Sequence, residues 1–258
     1  MAFKLSHETL KYGTWTYNAF FFTPESNEVT PQCKVVLFHG YTSHKGSLLN
    51  WATRLAEEGC AVVIGDVPGH YLGSFNEVED FKEFAQSAHK IFFPALKRLN
   101  ELCPEEVPIV LGGHSLGALL ALKAADDKDK YTPFSPIVVC VGLGMAPKNK
   151  VHIFDTPFYK STLKIRGQLV SKALSPDFVF PWIKEEKAKL KLENTRVHLI
   201  TGDDDLVVGK TGTEELAQHL RDQGNNVSIE KPRKLSHHLP EMAAAHIKKF
   251  LKDENLIS

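Results

Sequence analysis

The sequence predicts an α/β fold, with a mostly parallel central sheet that is flanked by helices. From residue 34 onward, short continuous apolar runs alternate with longer helical patterns, as expected of strands that are buried on both faces of a parallel sheet. A glycine-rich turn at residues 112–118 joins one apolar run directly to a helical one. With 258 residues, of which 43% are hydrophobic, the chain is long enough to bury one full core, so a single domain spanning 1–258 is expected.

The elements can be assigned in chain order. Residues 3–10 and 14–23 flank a Tyr12-Gly13 break and predict an antiparallel hairpin. Buried strands are expected at 34–38, 61–65, 107–111, 136–142 and 197–201, with a last short strand at 226–230. Helices are expected at about 47–58, 79–102, 116–125, 213–223 and 240–251.

One region interrupts the alternation. Roughly fifty residues separate the strand ending near Gly144 from the strand starting near Arg196, and a simple crossover needs far fewer. Residues 146–194 are therefore expected to form a lid or cap insertion within the domain. The insertion is rich in aromatic residues: Phe154, Phe158, Tyr159, Phe178, Phe180 and Trp182. Phe158, Tyr159 and Trp182 are predicted to line a substrate pocket; the alternative is that the aromatic residues only attach the insertion to the body.

Composition limits the classes of partner. Lys and Arg together number 31, equal to Asp and Glu together, so the overall charge favours neither nucleic acid nor an anionic membrane as a partner. A small-molecule substrate fits better, and the oligomeric state is left open. The cysteines stand singly, without C-x-x-C spacing, and are expected to be buried thiols: Cys33, Cys60, Cys103 and Cys140. Without a signal-peptide core or a transmembrane segment, a cytoplasmic location is expected.

The turn at residues 112–118 contains the pattern G-x-S-x-G at Gly113, Ser115 and Gly117. In a nucleophile elbow, a serine occupies a sharp strand-to-helix turn whose neighbours must be small, and the first N–H groups of the helix point beside its hydroxyl. Chance produces the bare pattern often. Here the strand before it and the helix after it raise its specificity.

Other catalytic patterns are weak. Ser161-Thr162-Leu163-Lys164 matches S-x-x-K, but it lies in the insertion without companion motifs, so coincidence is the better interpretation. The sequence contains no H-E-x-x-H, phosphate-binding P-loop or G-x-G-x-x-G pattern. Neither a metal nor another cofactor is therefore expected.

Several segments together resemble the α/β-hydrolase-fold serine hydrolases of the esterase, lipase and thioesterase kind, from about residue 14 to the C-terminus except the insertion. Besides the elbow, the matching pieces are Phe38-His39-Gly40, the loop from Asp66 to Ser74, Gly202-Asp203-Asp204-Asp205, and the segment from Ser236 to Glu241. In the second piece, Tyr71-Leu72 lengthens the family's D-x-x-G-x-G-x-S pattern, which concerns the shape of a loop and leaves the catalytic residues unaffected.

A serine nucleophile needs a base, and the base needs a buried acceptor. The resemblance implies that these residues follow one another in the chain in the order Ser, Asp, His. Ser115 is the nucleophile. Asp205 fits the register G-x-x-D-x-x-V, whereas Asp203 and Asp204 are expected in a solvated turn. His238 is favoured over His237 as the base, because in these families the base is commonly followed by a short apolar residue and then the last helix.

The resemblance also implies an oxyanion hole made of two backbone N–H groups, one from Leu116 and one from the loop after the third strand. Tyr41 is the choice for that loop, with Thr42 as the alternative, and the Tyr41 ring could instead only pack beneath the lid. The expected activity is hydrolysis of a carboxylic ester through an acyl-enzyme. The alternatives are a thioesterase, peptidase or C–C bond hydrolase using the same residues and, in another class, a ligand-binding relative without turnover.

Overall fold

A long antiparallel hairpin opens the fold in the computed structural model, which describes residues 2–26, 29–127, 130–131, 133–146 and 156–258. Strand β1 (Phe3–Tyr12) pairs with β2 (Trp15–Pro24) across the predicted break, where Gly13 has a φ of 57°. Alternate residues of β2 are buried from Trp15 to Phe21, and the rest of the strand is buried throughout, so β2 packs on the body. The predicted entry hairpin is confirmed.

Six further strands complete one eight-stranded sheet: β3 (Lys34–Phe38), β4 (Ala61–Gly65), β5 (Ile109–His114), β6 (Ile137–Val141), β7 (Arg196–Ile200) and β8 (Asn226–Glu230). The strand order is β1-β2-β4-β3-β5-β6-β7-β8. The hairpin joins through the antiparallel pair β2 and β4, and every later pair is parallel. The carboxyl ends of six parallel strands therefore meet at one edge.

Helices cover both faces of the sheet, as the apolar runs predict. They are α1 (Leu49–Glu57), α2 (Phe81–Ser87), α3 (Phe92–Leu102), α4 (Leu116–Ala125), α5 (Pro157–Arg166), α6 (Pro176–Ala188), α7 (Gly212–Asp222) and α8 (Ala244–Asp253). Side chains of β3 alternate between two cores: Val36 and Phe38 pack with α3 and α4, whereas Val35 and Leu37 pack with α1 and α8. A strand buried on both faces has no polar alternation, and this is why it reads as a continuous apolar run.

One predicted helix is wrong as a single element. The pattern over 79–102 is two α-helices, α2 and α3, joined by a 3₁₀ segment at Ala88–Ile91. Pro94 lies in the first turn of α3, where the missing N–H costs no hydrogen bond. A helix continuing through this position would lose a hydrogen bond there, so the chain begins a new helix instead.

Helices α5 and α6 form the segment between β6 and β7, where the sequence predicts an insertion. His152 and Phe154, which belong to the predicted insertion, lie outside the described residues. No helix in the described part of the chain combines the length and the apolar character needed to cross a membrane. All four cysteines are buried free thiols, as predicted.

Candidate active site

Ser115 occupies the sharp turn between β5 and α4. Its φ of 51° and ψ of −107° lie outside the conformations that a non-glycine residue readily adopts. Its N–H donates a hydrogen bond of 2.8 Å to the carbonyl oxygen of Val141 at the end of β6. The turn is therefore held by the neighbouring strand, and the serine side chain stays half-buried at the carboxyl edge of the sheet.

The glycines of the elbow are required by close backbone contacts. A Cβ at Gly113 would lie 2.3 Å from the carbonyl oxygen of Phe38, and one at Gly117 would lie 2.0 Å from the same atom. These separations are far inside van der Waals contact. The two glycines thus allow the end of β3, and the loop that follows it, to approach the serine turn closely.

Asp205 lies in the loop after β7, and its carboxylate is almost fully buried. One oxygen, Oδ1, accepts hydrogen bonds of 2.9 Å from the backbone N–H groups of Val207 and Val208. The other, Oδ2, lies 2.8 Å from Nδ1 of His237. The first oxygen is fixed by its own loop, so the second is held toward the histidine. Asp203 and Asp204 are exposed, in agreement with a solvated turn.

The structure pairs His237, and not the predicted His238, with Asp205. The two imidazole rings are perpendicular, with centroids 5.6 Å apart, and only His237 faces the carboxylate. A 3₁₀ segment begins at Pro240, two residues after His238. Because the two histidines are adjacent in the sequence, the shape of the loop decides which of them faces Asp205.

His238 instead contacts the segment between β6 and β7. Its Nε2 lies 3.1 Å from the hydroxyl of Tyr159 on α5, and the two rings are stacked at 6.4 Å. The pKa of His238 is lowered by partial burial, then by His237 and Arg166. A neutral imidazole can accept a hydrogen bond from the tyrosine hydroxyl. This contact therefore joins α5 to the loop that carries His237.

Two further contacts position His237. A Cβ at Gly202 would lie 2.0 Å from the carbonyl oxygen of Leu235, so this glycine lets the histidine loop approach the end of β7. The ring of His114 packs against that of His237, with centroids 4.8 Å apart. Burial lowers the pKa of His114 well below its usual value, which keeps this ring uncharged beside His237.

The loop after β3 brings Tyr41 toward the elbow. Its hydroxyl donates to the carbonyl oxygen of Leu174 at 2.7 Å, and its ring meets Phe180 of α6 edge-on at 5.2 Å. The ring therefore packs beneath the segment between β6 and β7, as one of the two alternatives for this residue expects. Leu116 is the first residue of α4, where backbone N–H groups have no partner within the helix.

Sequence reasoning missed the contacts that fix the Tyr41 loop. The carboxylate of Asp66, after β4, accepts hydrogen bonds from the Lys45 side chain at 2.7 Å and the Lys45 backbone N–H at 2.8 Å. His39 accepts a hydrogen bond from the Val67 N–H at 2.9 Å, and burial lowers its pKa to about 3. An aspartate directly after a buried strand was the available signal, since a buried carboxylate needs a cation or several donors.

The three predicted pocket residues differ in burial and in their contacts. Tyr159 is buried and contacts His238, whereas Phe158 is 79% exposed. Trp182 packs on Phe81 and Phe84 and lies under the ammonium group of Lys123 at 5.4 Å. These are the contacts of a side chain that attaches α6 to the body, so they support the alternative interpretation for Trp182. The structure does not bring the three residues together.

Comparisons with known proteins agree on the fold. A soluble variant of monoglyceride lipase from Saccharomyces cerevisiae, in complex with a substrate analogue, superposes with a TM-score of 0.68 at 15% identity over 97% of this chain and 95% of the lipase. A thermostable carboxyl esterase from Bacillus coagulans, in complex with glycerol, gives 0.66 at 16% identity over 98% and 99%. An epoxide hydrolase from Vigna radiata gives 0.60 at 15% identity over 96% and 98%.

At these identities, the similarity establishes the fold and leaves the reaction open. No curated protein sequence matches the chain. The family model described as "Serine aminopeptidase, S33" matches residues 30–192, which is more than half of the chain and includes the elbow. The chain therefore belongs to this family of α/β hydrolases.

Proposed function

We propose that the protein is a serine hydrolase that cleaves a carboxylic ester through Ser115, His237 and Asp205, with an acyl-enzyme intermediate. The observation that carries the proposal is the buried Asp205 carboxylate, held by two backbone donors and joined at 2.8 Å to Nδ1 of His237. A carboxylate at Nδ1 fixes the tautomer in which Nε2 is free to accept a proton. That arrangement is needed by a general base.

In the proposed mechanism, Nε2 of His237 takes the proton of the Ser115 hydroxyl as its oxygen attacks the substrate carbonyl carbon. Backbone N–H groups of Tyr41 and Leu116 stabilise the oxyanion. The imidazolium, stabilised by Asp205, then protonates the leaving alcohol as the carbon–oxygen bond breaks. Water, activated by the same imidazole, hydrolyses the serine ester and regenerates the enzyme.

The elbow supports the assignment of the nucleophile. A non-glycine residue at a φ of 51° costs free energy that the surrounding structure must balance, and such strain is concentrated at functional sites. The same turn places the N-terminus of α4 beside the serine, where the helix dipole favours a developing negative charge.

Peptide cleavage is the second candidate, because the matching family carries the description of a serine aminopeptidase. The same triad would serve it, with an amine as the leaving group. An aminopeptidase must also bind the free ammonium group of its substrate, which requires carboxylates facing the site. Aminoacyl 4-nitroanilides compared with 4-nitrophenyl esters distinguish the two reactions.

The test uses a fluorophosphonate probe and 4-nitrophenyl esters. The wild-type protein should be labelled at Ser115, and Ser115→Ala should lose labelling and at least about a thousand-fold in ester turnover, because removal of one triad member disables the whole unit. Ser161→Ala, which removes the other candidate serine, should retain both. Labelling that persists in Ser115→Ala would refute the assignment.

A further inference from the structure

Arg166 is a half-buried cation on α5, the helix whose Tyr159 contacts His238. It is the last residue of α5, and it lies seven positions after Tyr159, so the two side chains share one face of the helix. That face is the one turned to the body: Tyr159 and Leu163 are buried, while Lys160 and Lys164 on the other side are exposed. The helix thus directs one of its three cations inward.

The contacts on both sides of Arg166 fix its position. Before it, Tyr159 reaches Nε2 of His238 at 3.1 Å. After it, the carbonyl oxygen of Leu169 accepts the N–H of Tyr71 at 2.9 Å, and that of Leu174 accepts the Tyr41 hydroxyl at 2.7 Å. Arg166 therefore lies between the histidine loop and the loop that carries the proposed oxyanion donor.

Its electrostatic influence agrees with this position. Burial raises the pKa of Tyr41 and of Tyr159, and the Arg166 guanidinium opposes the rise at both. The same guanidinium adds to the effects of burial and of His237 in lowering the pKa of His238. One cation thus acts on side chains of α5, of the histidine loop and of the loop after β3.

Arg166 pairs with no carboxylate of the described residues. Within the part of the chain that the structure describes, it forms neither an ion pair nor a side-chain hydrogen bond. The two carboxylates that act on the same side chains as Arg166 differ in their contacts: Asp205 is bonded to His237, and Asp177, which acts on Tyr41, is exposed to solvent. A half-buried guanidinium without such a partner keeps its donors available for a ligand.

We infer that Arg166 binds a carboxylate group carried by the substrate, so that the preferred substrates are esters with a second, anionic end. The inference rests on the proposed function. A planar guanidinium donates two parallel hydrogen bonds to a carboxylate, which supplies orientation as well as attraction. The same cation would disfavour the free ammonium of an aminopeptidase substrate, and this weighs against the second candidate function.

The first experiment compares matched pairs of esters that differ only in charge. The first pair is mono-4-nitrophenyl adipate and its neutral methyl ester, and the carboxylate of the anionic member lies on the acyl side. The second pair is 4-acetoxybenzoate and its neutral methyl ester, and here the carboxylate lies on the leaving group. In at least one pair, Arg166→Gln should lower the ratio of kcat/KM for the anionic over the neutral ester by about ten-fold or more, as expected for loss of a charged hydrogen-bonded pair. Arg166→Lys should lower this ratio less, since it keeps the positive charge.

Lys164→Gln is the matched control, because it removes a cation from the exposed side of the same helical turn. It should leave the ratio within about two-fold. An equal loss on both esters of both pairs in Arg166→Gln would overturn the inference and indicate a structural role. An equal fall of the ratio in Lys164→Gln would overturn it too, since a diffuse field from α5 would then suffice.

A second experiment separates this inference from the proposed function. Binding of monomethyl adipate to the Ser115→Ala variant, measured by calorimetry, needs no catalysis. Adding Arg166→Gln should weaken binding at least about ten-fold, and Lys164→Gln should not. Ester turnover without charge-selective turnover or binding would refute the carboxylate site alone, whereas charge-selective binding without labelling of Ser115 would refute the hydrolase mechanism alone.

Discussion

His237 and His238 are adjacent in the chain and yet have separate partners, Asp205 for the first and Tyr159 for the second. Only an imidazole whose Nδ1 is bonded to a carboxylate has a fixed tautomer and a stabilised cationic form. The division of roles between neighbours of the same residue type therefore follows from hydrogen bonding alone, and it can be measured.

We expect His237→Ala to lower turnover of a 4-nitrophenyl ester by at least about a hundred-fold, because the serine loses its base. His238→Ala should lose less than about ten-fold, since it removes only a contact with α5. Steady-state kinetics of the two purified variants, with circular dichroism to verify folding, provides the measurement. The opposite ranking would return the base to His238.

The residues of the site differ in how far sequence could predict them. Ser115 and Asp205 stand in patterns with fixed register, because a turn of a given type leaves little freedom to the residue at its centre. The histidine stands in a loop whose register depends on where the following 3₁₀ segment begins, and a shift of one residue exchanges two identical side chains. Arg166 belongs to no sequence pattern, so its proposed role could not be predicted from the sequence.

At the scale of elements, strands were predicted most closely. A strand in the middle of a parallel sheet is apolar on both faces, and turns interrupt the apolar run at its ends, so the predicted bounds of the six later strands lie within about three residues of those observed. Helices on the surface leave weaker signals. The pattern over 79–102 concealed a break, since the 3₁₀ segment keeps apolar residues buried on the same side.

Helix α6 depends on Trp182 for its attachment to α2 and α4. The indole is 9% exposed and contacts Phe81, Phe84 and Lys123. An ion pair between Lys123 and Glu186 lies beside it. Helix α6 also packs on the Tyr41 ring through Phe180, so the position of this helix and that of the Tyr41 loop are linked.

Trp182→Ala should therefore lower the free energy of unfolding by about 2–4 kcal/mol, through lost burial and the cavity left behind. Phe158→Ala is the control on α5. Its ring is 79% exposed, so the free energy of unfolding should change by no more than about 0.5 kcal/mol. Urea unfolding of both variants tests this, and similar losses in the two would show that the ring contacts of Trp182 contribute little.

At the scale of the whole molecule, buried uncharged histidines make stability depend on pH. His39 and His70 are fully buried near the carboxyl edge of the sheet, and burial lowers the pKa of each to about 3. In the unfolded chain, the pKa of histidine is about 6.5. Between these values the unfolded state binds more protons, so the stabilisation is complete above about pH 6.5 and is lost as the pH falls toward 3.

Each such histidine contributes a slope of up to about 1.4 kcal/mol per pH unit below pH 6. His39→Gln removes one titrating group while keeping a side chain that can donate and accept hydrogen bonds, so it should reduce the slope of unfolding free energy between pH 6 and pH 4.5 by up to that amount, whatever its effect at pH 7. His7→Gln, at an exposed position of β1, should leave the slope unchanged. The slopes come from urea titrations at several pH values. An unaltered slope in His39→Gln would mean that this imidazole is protonated without unfolding, and that the loops after β3 and β4 open locally in acid before the core does.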